Sequence, residues 1–171
     1  MYESKEWNRL LGAILASIHQ HFLHARILKH QGYMELADHE YRWSIESMRQ
    51  ADLLIEHMLA EGDILHPEAS APSSIETTPA AIIAADKDRV ETLKKAVSLF
   101  LQKEKCENAL LLLAVIQKSL IEQEHFLIEW QDENGHAAAS DYAQLRHQIG
   151  PASYQLAQHV QFTSEKIQLH G

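Results

Sequence analysis

One cysteine, four prolines and six glycines are all that this 171-residue chain has to staple, kink or loosen it. With Cys106 alone there is no internal disulfide, and a reducing compartment is expected. So little Gly and Pro beside 46% hydrophobic residues leaves long helices as the natural reading. Positive charge is also scarce. Fifteen Lys and Arg stand against 24 Asp and Glu, giving a formal charge of −9. That balance argues against nucleic acid or an anionic membrane as the main partner. The apolar run Ala109 to Ile116 is too short to span a bilayer. The opening MYESKEWNRLL carries acids where a signal peptide has a basic region, so a soluble cytoplasmic protein is expected. No internal repeat or low-complexity tract is present. The length suits one domain, 1–171, with a continuous core.

What is present is helical periodicity. A first helix is expected over about 4–31, with Leu10, Leu11, Ile14, Leu15, Ile18, Phe22 and Ala25 recurring on one side. Gly32 ends it in a short turn, so a second helix over about 34–60 should return antiparallel. Tyr41, Ile45, Met48, Ala51, Ile55 and Met58 then fall on its inner side. Gly62 opens a polar, proline-bearing segment without amphipathic pattern. Helices over about 80–103 and 107–131 follow, and a shorter helical tail over about 151–167 comes after Gly150 and Pro151.

The middle segment carries architectural information. Roughly 17 extended residues reach about 55 Å, whereas a helix of about 27 residues is about 40 Å long. The connection can therefore run the length of a bundle and start the third helix parallel to the second. Two tight hairpins joined by one long crossover describe an all-α, ferritin-like four-helix bundle with a short fifth C-terminal helix. Length and period alone also admit an ordinary up-and-down bundle with a slack loop.

Bundles of this kind hold two iron ions with one Glu from each of two helices and a Glu-x-x-His pair from each of the others. The first helix has no Asp or Glu between Trp7 and Gln31, and in the second Glu46 is followed three residues later by Arg49. The fourth offers Glu122 and His125, and the third offers Glu91. Half a site is not a di-iron centre, and a solvated outer pair is the expectation for Glu122 and His125. The first helix is rich in histidine: His19, His21, His24 and His30. His21 and His24, three apart, suit a stray metal. Without a carboxylate close by in sequence, interface or surface histidines with ordinary hydrogen bonds are expected.

Met48 alone reads as a core gap-filler. Its company changes that. Phe22-Leu-His-Ala-Arg26 with Gly32, then Glu40-Tyr41, Ser44-Ile45 and Met48-x-x-Ala51-Asp52, resembles the bacterioferritins. The likeness runs from about Leu10 to Ile55 and resumes from about Glu91 to Trp130, where Leu127-Ile-Glu-Trp130 stands for the family's His-Ile-Asp-Trp. It returns at Gly150, Tyr154, Ala157 and Gln158, with a shortened middle loop and an insertion around Asp132 to Ala143.

The resemblance implies a 24-subunit cage of two-fold dimers, with haem b at each dimer axis and an iron mineral inside. The family's haem-ligating methionine falls on Met48, so one residue per chain supplies both axial ligands across an isologous interface. Its haem-contacting positions fall on Leu15, Ile18, His19, Phe22, Tyr41, Ile45, Ala51, Asp52 and Ile55. His19 departs from the usual Asn. The ferroxidase positions fall on Ile14, Ser47, Gln50, Glu91, Glu124 and Leu127, so four of six ligands are replaced.

The reading is a haem-binding subunit for iron storage and electron transfer, with no catalytic residue and no intact di-iron centre. It forms the cage alone or mixes with a second, ferroxidase-competent subunit. Two rivals stay open. One is a ferroxidase with an unconventional metal site built from Glu91, Glu122, Glu124 and His125. The other is a scaffold without haem or metal, in which Met48 and Phe22 simply pack in a dimer.

Overall fold

The computed structural model describes residues 4–68 and 75–134. Four helices account for most of them, and the described residues include no strand: α1 (Ser4–Gln31), α2 (Met34–Ala60), α3 (Pro79–Lys103) and α4 (Glu107–Asn134). Each buries a stripe at three- and four-residue steps, the signature of a helix with one face in a core. Leu10, Ile14, Ser17, His21 and Leu28 form that stripe in α1. Leu36, Glu40, Trp43, Ser47, Leu54 and Met58 form it in α2. In α3 it is Ile83, Asp86, Val90, Leu93 and Val97. The expected C-terminal helix and most of the insertion before it lie outside the described residues.

Helix ends are set by local chemistry. Gly32 (φ 91°) and Gly62 (φ 80°) adopt the left-handed conformation that closes a helix. Behind them Tyr33 N–H donates to the Leu28 carbonyl at 3.0 Å, and Asp63 N–H to that of Met58 at 2.9 Å. Helix α3 opens with Thr78, whose hydroxyl accepts from Ala81 N–H at 3.3 Å, and with Pro79 in the first turn.

Contacts between helices fix the directions. Gln20 meets Asp86 while Arg9 and Leu10 line one groove with Phe100 and Lys103, so α1 and α3 run antiparallel. Helix α2 is antiparallel to α1 as well: Glu40 bonds His21 near one end, and His57 packs on Trp7 near the other. Helices α2 and α3 are therefore parallel, and the segment between them must cross the whole bundle. Its described residues lie against α1 at both ends. Asn8, buried, donates to the Ile64 carbonyl and accepts from His66 N–H near the start of α1. Glu76 N–H and the Thr77 carbonyl meet His24 and Gln31 near its end. The long crossover is thus the observed connection, and the ordinary up-and-down alternative is set aside.

Gly12 allows that segment to lie against α1. A Cβ there would stand 2.0 Å from the Glu68 carbonyl oxygen, a backbone atom. Gly12→Ala is expected to destabilise, because overpacking costs about 1–3 kcal/mol against about 1 kcal/mol gained in helix propensity. Urea midpoints and limited proteolysis of the crossover check this: cleavage should quicken, and a more stable, equally resistant variant would contradict it.

Candidate functional site

Three regions bear on chemistry, and the first is an outer face. Helix α1 meets α3 through Gln20, and α2 meets α4 through His39 and Trp43. Leu15, Ile18, His19 and Phe22 lie on the opposite flank of α1. Tyr41, Ile45, Met48 and Ile55, expected on the inner side of α2, lie instead with Asp52 on its opposite, outer flank, because the inward stripe runs through Glu40, Trp43, Ser47 and Leu54. At about 100° per residue both stripes border the α1–α2 seam on its outer side. Leu15, Ile18, Ile45 and Ile55 are half-buried, Ala51 is buried, and His19 and Asp52 are exposed. Above that aliphatic floor Phe22 is 41% exposed, Tyr41 47% and Met48 49%. Large apolar side chains clustered in the open mark an interaction surface. The guanidinium of Arg26 stands 5.5 Å from the Phe22 ring centre at its edge.

The second region is the bundle at mid-height. Ile14, Ser47 and Gln50 are buried and face Val90, Leu93, Ile116, Leu120 and Gln123 around a space of about 10 Å³ that His21 and Arg89 also line. That is on the order of one water. No carboxylate lines it. Two iron ions need bridging carboxylates to neutralise and hold them, so these residues do not fit a di-iron centre.

The carboxylates singled out on α3 and α4 lie elsewhere. Glu91 is exposed and pairs with Lys95 at 2.7 Å. Glu122 is exposed, 3.8 Å from Lys118, and His125 is exposed as well. Glu124 is partly buried and held by Lys94, while Leu127 is fully buried. Val90, not Glu91, faces the mid-height space. One residue is a 100° rotation on a helix, and that separates an inward ligand position from an outward ion pair.

The third region is a buried polar centre next to that space: His21 and Glu40 lie two turns from Ile14 and Ser47, and Asp86 lies one turn from Val90. His21, Glu40 and Asp86 occupy the same inward stripes as Ile14, Ser47 and Val90, and each is at most 2% exposed. The surface or interface role expected for His21 and His24 is therefore corrected: both are buried, because their carboxylate partners arrive from α2 and α3. His21 Nδ1 is 2.7 Å from Glu40 Oε2. His24 Nε2 accepts from Glu76 N–H at 3.1 Å, so its Nδ1 carries the proton and donates to Asp86 Oδ1 at 3.1 Å. Gln20 Nε2 donates to the same oxygen at 2.8 Å, and Gln20 Oε1 accepts from Arg89 Nε at 2.8 Å. Among the described residues this trio is the one group of three His, Cys, Asp or Glu placed to hold an ion, with ligand atoms within 4.8 Å of one another.

Burial sets the protonation. It pushes the Glu40 carboxyl well above the carboxylate range, and the neighbouring Asp86 charge pushes it the same way. Burial would raise Asp86 too, but its hydrogen bond from His24, the nearby His21 and a protonated Glu40 bring it below its ordinary value. Burial lowers His21 to about 4, against the attraction of Asp86. Metal-free, the centre is one anion, a neutral acid and neutral imidazole.

Two opposing pH effects follow. The unfolded chain protonates its histidine below 6.5 while folded His21 resists until about 4, so stability falls as pH drops through that window. The unfolded Glu40 ionises above 4.5 while the folded one stays protonated, so stability falls as pH rises above 4.5. Between 4.5 and 6.5 the slopes oppose. Glu40→Gln removes the second and keeps the shape. Urea midpoints with chelator present should then rise with pH across that window by up to about 1.4 kcal/mol per unit, against a flatter wild type. Parallel profiles would contradict the assignment.

Two helical hairpins, one long crossover and ionisable side chains at the centre define the crossover-linked class of four-helix bundle. A family model described as a ferritin-like domain matches residues 5–127, and the chain belongs to that family. The ferritin-like fold expected from the crossover agrees with the match. No helix among the described residues is long and apolar enough to cross a membrane.

Proposed function

We propose that this chain is a haem-binding, bacterioferritin-like subunit that serves iron storage and electron transfer without an intrasubunit di-iron centre. The observation that carries the reading is Met48: a half-exposed thioether set among apolar side chains on a flank that no helix among the described residues covers. A second copy meeting that flank about a two-fold axis brings a second Met48 to the same ligand. Leu15, Ile18, Ile45 and Ile55 then offer a flat apolar wall over the buried Ala51, with Phe22 and Tyr41 beside it. Bound there, haem b supplies a one-electron couple, and neutral thioether ligation raises its potential.

The mid-height residues support the other half of the proposal. Ile14, Ser47, Gln50, Val90, Leu120 and Gln123 surround the mid-height space together with His21 and Arg89, one imidazole and one cation but no carboxylate, so oxidation of ferrous iron falls to a partner subunit in a mixed shell. A 24-subunit cage storing ferric mineral in the cytoplasm completes the proposal. Haem titration of the purified chain tests it. The expected result is a Soret band saturating at one haem per two chains, with a particle mass far above a monomer. Colourless protein after haem addition overturns it and leaves the scaffold reading.

A further inference from the structure

We propose that His21, Glu40 and Asp86 bind a single divalent first-row transition-metal ion inside the bundle. One imidazole nitrogen and two carboxylates from three helices converge with ligand atoms within 4.8 Å of one another. Two carboxylates balance a divalent charge, and the mixed nitrogen and oxygen set suits ferrous, manganous or zinc ions. An unsatisfied atom points the same way. Glu40 Oε1 is fully buried and has no hydrogen-bond partner, in a side chain that is itself 0% exposed. Buried oxygens are rarely left so, because an unmade bond costs more than a made one gains. An ion bound at that point would give this oxygen the partner it lacks.

The surroundings are built to hold the ligands still. Asp86 is fixed by His24 and Gln20, and the His21 ring meets the Trp43 edge at 5.6 Å. Such outer partners orient ligands before the ion arrives. Arg89 opposes a cation, but Gln20 stands between them, accepting from the guanidinium and donating to Asp86. The site is separate from the outer Met48 face and adjoins the mid-height space, which His21 also lines.

Cobalt(II) is the probe, added to the metal-free full-length protein and followed through its visible d–d bands. One saturable Co2+ per chain is expected, with apparent affinity lowered at least tenfold in Glu40→Gln, which preserves shape. Glu122→Gln, an exposed carboxylate, and Met48→Leu should both bind as wild type does. Zn2+ should raise the melting temperature of wild type and not of Glu40→Gln, since an ion bound only to the folded state stabilises it. Binding equal in wild type and Glu40→Gln places the metal at surface histidines and overturns the proposal. So does the absence of any saturable band, whatever the haem content.

Discussion

Met48→Leu is expected to abolish the Soret band of the haem-loaded protein while leaving folding almost unchanged. Leucine has nearly the same volume, and such swaps cost under about 1.5 kcal/mol even in cores. At a side chain that is 49% exposed the cost should be smaller. The chemical loss is complete by comparison. In a two-fold arrangement one substitution per chain removes both axial ligands at once, and leucine offers no lone pair. Haem titration should fall from tight, stoichiometric binding to weak partition, a change of at least roughly a hundredfold, or about 2.7 kcal/mol. Circular dichroism and a urea melt confirm that the fold survives. A Soret band that persists with histidine-like features names His19 as the ligand, and the Met48 assignment then fails.

Asp86→Ala should be the most damaging single substitution in the bundle. It strips the acceptor from Gln20 Nε2 and His24 Nδ1, both donors buried with it. It also removes the anion toward which the Arg89–Gln20 relay is directed. Breaking a buried charged network by deleting one member costs about 3–5 kcal/mol, a large share of the roughly 5–15 kcal/mol that holds a domain folded. Chemical denaturation of metal-free protein measures it. A loss under about 1 kcal/mol would mean that water already satisfies those donors, and the dry polar centre would be wrong.

How much was legible depends on whether a signal was local. Helix ends at Gln31 and Ala60 follow from glycines one or two residues on, each at positive φ, and periodicity carries the rest. The crossover was legible in its length. Its path was not, because Asn8 and Gly12 look like ordinary helix residues until the segment at 64–68 lies against them. The outer face was legible only through resemblance. Met48 by itself reads as a core methionine, whereas the structure leaves it half-exposed beside Phe22 and Tyr41.

The polar centre was missed for a physical reason. Each member comes from a different helix, and the acids that spacing singles out, Glu91 and Glu124, lie one rotation or one face away. A usable signal did exist. Glu40 sits between Leu36 and Trp43 on a buried stripe, and Asp86 between Ile83 and Val90. A carboxylate at an inward helical register needs a partner, and His21 and His24 were the candidates at inward positions on α1.

A crystal structure of the full-length protein loaded with haem and soaked in ferrous iron addresses the central claim most directly. The account predicts porphyrin density across a two-fold axis between paired Met48 side chains, and no pair of irons among Ile14, Ser47, Gln50 and Gln123. Two irons bridged at mid-height within one chain, beside an axis without porphyrin, would contradict it.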